Sequence, residues 1–391
     1  MEKNINELRN RKMVRYKEDY SEMLAEYNRE LETVKGYNGR QILELLQNCD
    51  DEGSEEVLFE LNKEKNTISI SNNGSPFSKK GYRSLFIANL SSKTSKRKYI
   101  GNKGLGFRSV INWCDSIIIQ SNNVSLKYSE ENTLNLFNSL FSITEQDEIR
   151  NEENFGETHI PLPFLCIPEI IKEDGNGYIT TIILTYKPDY YESIIEQINK
   201  ISQETILFLK NIREINFIGF EDIDNIKCIK ESLDNDNSTI SPNQKISFED
   251  AVWYVFEEEC DFPSEFRESE NPDNEFYQIK IAVEENFKKT SPYLYSFFPT
   301  KILLNQPYIL HATFDLDSTR NQINDSLKNK YILKKIVEFT INVAKFYAKE
   351  SVSYRPLQIL FHSHIADSLA NLGYYSLIDD AIKSEEIFPC I

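Results

Sequence analysis

Hydrophobic and polar positions follow two different periods along this chain, and these periods predict its helices and strands. Around residues 42 to 51, an apolar face and a polar face alternate at helical spacing. The apolar face consists of Ile42, Leu45, Leu46 and Cys49, and the polar face of Glu44, Asn48 and Asp51. By itself, this pattern also fits an amphipathic surface helix whose polar side is exposed to water.

The periodicity of hydrophobic residues also predicts the other helices and strands of the chain. Charged residues 4–33 carry apolar residues at loose helical spacing, which indicates one or two leading helices. Strands are expected at Thr67–Ser71, Tyr178–Thr185, Glu214–Phe220, Ala251–Phe256, Tyr277–Val283, Tyr293–Phe298 and Ile309–Phe314. Phe107–Trp113 is expected to be the start of a helix, and further helices are expected over Tyr191–Lys210, Leu327–Tyr347 and about Arg355–Asn371.

Polar segments divide the chain. We interpret Ser129–Ile170, polar and then proline-rich, as an insertion before the strand at Tyr178. The turn-rich loop Glu231–Gln244 marks a break between domains. After this break, strands are followed by helices, which favours an α+β second domain.

Two glycine-containing segments follow the first amphipathic helix. Asn72–Gly74 forms a turn after a strand, where glycine lets the backbone approach a flat ligand. Gly101-x-x-Gly104-x-Gly106 opens an expected helix, and free N–H groups at such a start suit a phosphate. The glycine pattern could also be a dinucleotide loop, but the polar, basic Ser91–Lys98 precedes it instead of a strand.

Together these segments resemble the GHKL superfamily, the Bergerat-fold ATPases of heat-shock chaperones, DNA gyrase, mismatch-repair ATPases and histidine kinases. The closer resemblance is to the sacsin-like branch, which has the same motifs in the same order. They are Tyr37, Gly39 and Arg40 with Glu44–Asp51, the turn Asn73–Phe77, the SSKT lid Ser91–Thr94 and the box Ile100–Val110. The resemblance covers roughly residues 35–215 and continues more weakly through Phe297–Thr300 and His311–Arg320.

The resemblance implies an ATP site with two catalytic residues and a magnesium ligand. Glu44 corresponds to the general base that orients the attacking water. Asn48 corresponds to the side-chain ligand of Mg²⁺, whose other ligands are phosphate oxygens and waters. Arg320 corresponds to the basic residue that a transducer domain sends to the γ-phosphate. A salt bridge from Arg320 to Asp315 or Asp317 is the alternative.

The resemblance also implies contacts to the base, the sugar and the phosphates. Asp51 lies near the base and sugar, Gly74 allows close approach to the adenine, and Thr180 supports the adenine through water. The residues expected at the phosphates are Lys93, Gly101, Lys103, Gly104, Leu105, Gly106 and Phe107.

Two residues depart from the superfamily pattern. Many members have Asp at the position of Asn72, where the carboxylate accepts a hydrogen bond from the adenine amino group. An asparagine oxygen also accepts, but without the strength of a charged acceptor. Affinity and selectivity for adenine over guanine are therefore open. Pro76 stands where glycine is common, which the sacsin-like branch tolerates.

The resemblance and the pattern together predict an α+β protein. We expect an N-terminal helical extension at 1–35 and an ATP-binding domain at 36–220. The latter would be a two-layer α/β sandwich of Bergerat type. A smaller α+β transducer-like domain that ends in helices would follow at 245–391.

Composition narrows the class of function. The formal net charge of −18 argues against a general nucleic-acid binder and against binding to an anionic membrane. The local basic run Lys93, Lys96, Arg97, Lys98 and Lys103 is either a solvated loop or a lid that faces phosphate. The six cysteines have no CxxC spacing, and we find no secretory leader or long apolar run, so a cytoplasmic protein with reduced thiols is expected. The four histidines are too scattered for a metal site.

We therefore expect a Mg-dependent, slowly ATP-hydrolysing switch. Lid closure would be coupled to dimerisation or to an effector protein, and bacterial sacsin-like ATPases often accompany effector modules in anti-phage defence. The alternative is a non-catalytic nucleotide-sensing or chaperone-like interaction module. Glu44 favours hydrolysis, because a pure sensor does not need a general base.

Overall fold

The computed structural model describes residues 1–36, 39–86, 106–172, 175–234, 240–267, 275–287, 292–317, 320–350 and 355–387. The chain divides into two compact units. The first contains Met1–Ile201 and Lys210–Asn225, and the second contains Ser202–Leu209 and Ile226–Ile391. The leading residues 1–35 therefore belong to the first unit, and the short segment Ser202–Leu209 belongs to the second.

The leading segment forms two helices, α1 (Glu2–Glu18) and α2 (Tyr20–Gly36), as expected. Asp19 separates them in an extended conformation, with φ −147° and ψ 95°. Its carboxylate accepts the Ser21 N–H at 2.9 Å, which satisfies one of the free amides at the start of α2.

The first unit contains a sheet in the order β5-β4-β3-β6-β2-β1-β7-β8. Strand pairs from β5 to β1 are antiparallel, and β1 pairs with β7 in parallel. The strands are β1 (Glu56–Asn62), β2 (Thr67–Asn72), β3 (Cys114–Ser121), β4 (Val124–Ser129), β5 (Glu169–Ile171), β6 (Thr180–Tyr186), β7 (Glu214–Ile218) and β8 (Ile226–Lys227). In β2, buried Ile68 and Ile70 alternate with Ser69 and Ser71, so Asn72 shares the apolar face.

The helices of the first unit are α3 (Gln41–Asp51), α4 (Lys79–Phe86), α5 (Glu130–Leu140), α6 (Ile143–Glu152) and α7 (Tyr191–Ile198), with a 3-10 helix at Gly106–Trp113. The expected insertion Ser129–Ile170 thus contains two helices. Ser129 and Ser142 cap them by accepting the N–H groups of Asn132 and Glu145.

The prediction of one helix over Tyr191–Lys210 is wrong. Helix α7 ends at Ile198, and a separate short helix, α8 (Gln203–Ile206), follows. Ser202 takes an extended conformation, and its N–H donates to the Thr205 hydroxyl at 3.1 Å, so a new helix begins there. Helix α8 belongs to the second unit.

The second unit contains a sheet in the order β14-β13-β15-β12-β11-β10-β9. Its strands are β9 (Ile229–Ser232), β10 (Gln244–Ser247), β11 (Val252–Asp261), β12 (Phe276–Glu284), β13 (Tyr293–Ser296), β14 (Phe298–Leu303) and β15 (Ile309–Ala312). The expected strand Tyr293–Phe298 is therefore divided. Phe297 has φ +63°, in the left-handed region, which interrupts the extended backbone between β13 and β14.

Helix α9 (Leu327–Glu350) packs against β12, and Ile332, Ile336, Phe339 and Val343 lie in the core as the pattern predicted. The prediction of one helix over Arg355–Asn371 is wrong. The structure has α10 (Arg355–Leu360), α11 (Asp367–Asn371) and a further helix, α12 (Tyr374–Ser384). Ala366 is extended between α10 and α11, and its N–H donates to the Tyr375 hydroxyl at 2.8 Å.

Helices and sheets of both units make this an α+β protein, which confirms the predicted fold class. In the described part of the chain, no helix combines the length and the apolar character needed to cross a bilayer.

Gly219 provides a test of the backbone geometry. Its φ is +81°, and a Cβ there would lie 2.2 Å from the Leu61 carbonyl oxygen. Gly177 has φ +92°, and a Cβ there would meet no atom within 4 Å, so this position isolates the backbone effect. We expect Gly177→Ala to lower the free energy of unfolding by about 1–2 kcal/mol, and Gly219→Ala to lower it by clearly more. Urea unfolding measures both, and equal losses would contradict the close approach.

Candidate functional site

Helix α3 buries its apolar face as the sequence predicted. Ile42, Leu45, Leu46 and Cys49 are each at most 3% exposed, and the helix packs against α7 and the 3-10 helix. On the predicted polar face, Asn48 and Asp51 are half-buried, but Glu44 is only 5% exposed. A solvent-facing helix surface would not bury this carboxylate, so the interpretation of a plain amphipathic surface helix does not account for Glu44.

The first turn of α3 is held by Gln197 of α7. The Gln197 Oε1 accepts the Ile42 N–H at 3.2 Å, and its Nε2 donates to the Gln41 Oε1 at 2.9 Å. The Gln41 Oε1 also accepts the Gly39 N–H at 3.0 Å. These amide contacts fix the start of the helix, and with it the direction of the Glu44 backbone.

The last turn of α3 is held by Asp50, which the sequence analysis did not single out. Its carboxylate is fully buried and accepts three backbone N–H groups, from Lys210 at 2.9 Å, Asn211 at 2.7 Å and Ile212 at 3.0 Å. The Asn211 side chain also donates to the Asp50 carbonyl at 2.7 Å. Asp50 therefore joins the end of α3 to the chain that enters β7.

The turn after β2 is attached to the loop that leaves α3. The Asn73 Oδ1 accepts the Ser54 hydroxyl at 2.9 Å and the N–H groups of Glu55 and Glu56 at 3.0 and 3.1 Å. A Cβ at Gly74 would lie 2.9 Å from the Glu52 carbonyl oxygen. Glycine is therefore required here by the protein's own backbone, independently of any ligand.

Asn72, Gly74 and Thr180, three of the expected site residues, lie together at the ends of the central strands β2 and β6. Asn72 pairs with Thr180 across β2 and β6, and Thr180 pairs with Ser121 of β3. The Asn72 Oδ1 accepts the Gly74 N–H at 3.1 Å, and the hydroxyls of Thr180 and Ser121 lie 2.8 Å apart. Asn72 and Thr180 are 5% and 4% exposed. The contact between Gly74 and Glu52 brings this group beside the end of α3.

The expected phosphate residues Lys93, Gly101, Lys103, Gly104 and Leu105 lie outside the described residues, as does most of the expected lid. Gly106 and Phe107 begin the 3-10 helix, where Phe107 is half-buried. Arg320 belongs to the second unit and has φ +57°. Its N–H donates to the Asp317 carbonyl at 3.0 Å.

A buried ion pair anchors the 3-10 helix to α2. The Arg108 guanidinium donates to the Glu30 carboxylate at 2.7 Å and to the Leu85 carbonyl at 2.8 Å. Both charged side chains are 5% exposed. Glu30 also accepts the N–H groups of Phe164 and Leu165. Burial raises the pKa of the Glu30 carboxyl, and the Arg108 charge and the two amides oppose that shift.

The sequence matches no model of a protein family and no curated protein. Among solved structures, the chain is similar to the ATPase region of Saccharomyces cerevisiae topoisomerase II bound to ICRF-187 (dexrazoxane), with 11% identity and a TM-score of 0.32. A second structure of that ATPase region gives 12% identity and a TM-score of 0.31.

Each of these alignments covers 57% of this chain and 58% of the other chain, so this chain spans less than two thirds of the structures it matches.

The Arg108–Glu30 pair allows a sharp test of packing in the first unit. Arg108→Met leaves the Glu30 carboxylate buried without its counter-charge, and we expect the free energy of unfolding to fall by about 3–5 kcal/mol. Adding Glu30→Gln should recover part of this loss, because glutamine is neutral and still accepts the amides of Phe164 or Leu165. Denaturant unfolding of both variants measures the effect. A double variant less stable than Arg108→Met would contradict a paired charge at this position.

Proposed function

We propose that this chain binds Mg-ATP at the polar face of α3 and hydrolyses it slowly. The observation that carries the proposal is the burial of Glu44 on the same helix face as Asn48 and Asp51. A carboxylate is costly to bury, and such groups concentrate at functional sites. The adjoining Asn72–Gly74 turn and Thr180 supply polar groups suited to a purine beside this helix.

In the proposed reaction, a water oxygen attacks the γ-phosphorus while its proton passes to the Glu44 carboxylate. The bond between the γ-phosphorus and the bridging oxygen of ADP breaks. Because such transition states need positioning and charge neutralisation more than covalent chemistry, a fixed carboxylate on a rigid helix suits the base. Arg320 would donate to the γ-phosphate, since its planar fork stays charged and offers several hydrogen bonds.

A magnesium ion would neutralise phosphate charge at this site. Asn48 fits it as a single protein ligand, because its amide carries a hard oxygen on the face that also holds Glu44. Among the described residues, no group of three or more His, Cys, Asp or Glu side chains is arranged to hold a metal. The other ligands of the ion would be phosphate oxygens and waters, which magnesium prefers.

The remaining assignments are part of the same proposal. Asp51 and Thr180 would lie near the base and sugar, and Lys93, Lys103 and the glycines from Gly101 to Gly106 near the phosphates. The output would be nucleotide-dependent association, with a second copy of the chain or with an effector protein. A role in anti-phage defence is the biological setting that the sequence resemblance suggests.

Removal of the Glu44 carboxylate tests hydrolysis directly. We expect Glu44→Ala to retain Mg-ATP binding and to lose turnover by about 10²–10⁴-fold, the usual contribution of a general base. Phosphate release and equilibrium binding measure the two effects, with thermal unfolding as a check on folding. Asp147→Ala on the exposed side of α6 serves as the control and should keep wild-type turnover. Full turnover in Glu44→Ala would refute the assignment, and a wild-type protein that binds but never turns over would support the non-catalytic alternative.

Asn72 tests the base selectivity of the proposed site. The Gly74 N–H is a donor, so only the amide oxygen of Asn72 faces it, and this fixes the orientation of the amide. Asn72→Asp would present a second acceptor oxygen in place of the NH₂ group. We expect the ratio of ATP to GTP affinity to rise about 3- to 10-fold, the difference between a neutral and a charged acceptor.

Asn73→Asp is the matched control for this measurement. It makes the same chemical change one position away, where the side-chain oxygen already accepts the Ser54, Glu55 and Glu56 donors. Competition binding with ATP and GTP compares the two variants. The same ATP-to-GTP ratio in Asn72→Asp as in the wild type would remove Asn72 from the base contact.

A further inference from the structure

Helix α4 ends in carbonyl groups that need donors from outside the helix. The last turn of an α-helix leaves its carbonyl oxygens without intrahelical donors, and water commonly supplies them. Leu85 and Phe86, the last two residues of α4, are 7% and 2% exposed, so they offer water little access. The donors for these two carbonyls therefore have to come from the protein.

Two cations from other elements supply these donors. The Arg108 guanidinium, in the 3-10 helix, donates to the Leu85 carbonyl at 2.8 Å, and the Lys12 ammonium, in α1, donates to the Phe86 carbonyl. Positive charge at this end of a helix is also favoured by the helix dipole. The end of α4 is thus held by α1 and by the 3-10 helix.

Each of the two cations is paired with a carboxylate of α2. Lys12 contacts Glu26, and Arg108 contacts Glu30 at 2.7 Å. The side chains of Lys12 and Arg108 are 8% and 5% exposed, and a buried cation is costly without a counter-charge. Glu26 and Glu30 are four positions apart in α2, so they lie one turn from each other on the same helix face.

Further donors orient the two carboxylates. The Tyr16 hydroxyl donates to Glu26 at 2.8 Å, and the N–H groups of Phe164 and Leu165 donate to Glu30 at 2.5 and 3.2 Å. A buried carboxylate that accepts from several fixed donors keeps one orientation. The face of α2 that holds the two cations is therefore itself fixed.

The 3-10 helix connects this arrangement with the candidate site. It packs against α2 and also against α3, the helix that carries Glu44. Gly106 and Phe107, which are expected at the phosphates, begin this 3-10 helix, and Arg108 follows them directly. All of these elements belong to the first unit. A displacement of Arg108 would therefore also displace residues of the candidate site.

We propose that Glu26 and Glu30 are positioning residues of the candidate site, which act through Lys12 and Arg108. Through these two cations, α2 fixes the end of α4 and the start of the 3-10 helix. The effect on these two elements rests on the contacts alone. The effect on nucleotide binding rests also on the proposed function.

Hydrogen exchange of the full chain tests the contact at Phe86. Lys12→Met keeps the aliphatic stem and removes the charged donor. We expect the amides of residues 83–86 to exchange about tenfold faster, as the loss of one hydrogen bond from a charged group predicts. Adding Glu26→Gln should recover part of the lost stability, because no unpaired carboxylate remains, but exchange at residues 83–86 should stay fast. Recovery of both would reduce the ion pair to a structural role and refute the positioning.

Lys17→Met is the matched control, since it makes the same substitution in the same helix. Lys17 pairs at the surface with Glu145, at 2.9 Å, and its side chain is 47% exposed. We expect exchange at residues 83–86 to be unchanged in this variant. Wild-type exchange in Lys12→Met, or equal acceleration in Lys17→Met, would refute the role of Lys12.

Arg108→Met combined with Glu30→Gln tests the second pair. The double variant leaves no unpaired charge, but the Leu85 carbonyl has lost its donor. We expect exchange at residues 83–86 to be about tenfold faster than in the wild type. Wild-type exchange would refute the role of this pair. Should Lys12→Met fail to fold, this double variant decides the question.

The kinetics of ATP hydrolysis separate this inference from the proposed function. We expect Lys12→Met to raise KM for Mg-ATP about 2- to 30-fold, the usual range for a residue that acts through others. Its kcat should stay at the wild-type value, because Glu44 is untouched. An unchanged KM, or a fall in kcat alone, would refute the link to the site. If the wild type neither binds nor hydrolyses ATP while Lys12→Met still loosens residues 83–86, the proposed function fails and the positioning of α4 stands.

Discussion

The buried carboxylate of Asp50 is the contact on which the arrangement of the candidate site depends. It joins the end of α3 to main-chain amides that lie 160 positions later in the sequence. Hydrogen bonds to a charged acceptor contribute about 1.5–3 kcal/mol each, and loss of these donors would leave a buried carboxylate without its partners, so the contacts hold the segment in place. With Gln197 holding the other end, α3 is fixed at both ends. The residues on its polar face are therefore presented by a rigid element.

A second group of polar contacts extends this rigidity to the sheet. Asn73 and Gly74 attach the turn after β2 to the loop that leaves α3. The buried hydroxyls of Thr180 and Ser121 bind each other at the neighbouring strand ends. The loop after α3 and the turn after β2 are thus joined by hydrogen-bonded polar groups. Such a junction is suited to a polar ligand, because water or a nucleotide meets fixed donors and acceptors.

The spacing of hydrophobic residues, together with the turn residues between elements, was sufficient to predict α3, β2, β6, β12 and α9. They failed where a single residue changes the backbone. Ser202 starts a new helix inside an apparently continuous one, and Phe297 takes a left-handed conformation inside an apparently continuous strand. The 3-10 helix at Gly106–Trp113 was expected only as the start of a helix, because apolar spacing does not distinguish the two over so few residues.

The candidate site was predictable in part. The polar face of α3 and the Asn72–Gly74 turn are visible as motifs, and the structure brings them together. Asp50 was not singled out and the role of Asn73 in its turn was not predicted, because most of their partners are backbone amides, which carry no sequence signal. The requirement for Gly74 was attributed to a ligand, whereas the Glu52 carbonyl already explains it. The expected phosphate residues from Lys93 to Leu105 lie outside the described residues.

A crystal structure of the full chain with Mg²⁺ and a non-hydrolysable ATP analogue tests the central claim most directly. The account predicts the nucleotide against the polar face of α3, with the Asn48 oxygen about 2.1 Å from the metal. It also predicts a water between the Glu44 carboxylate and the γ-phosphate, at hydrogen-bond distance from that carboxylate. A nucleotide bound away from α3, or a metal held without Asn48, would contradict it.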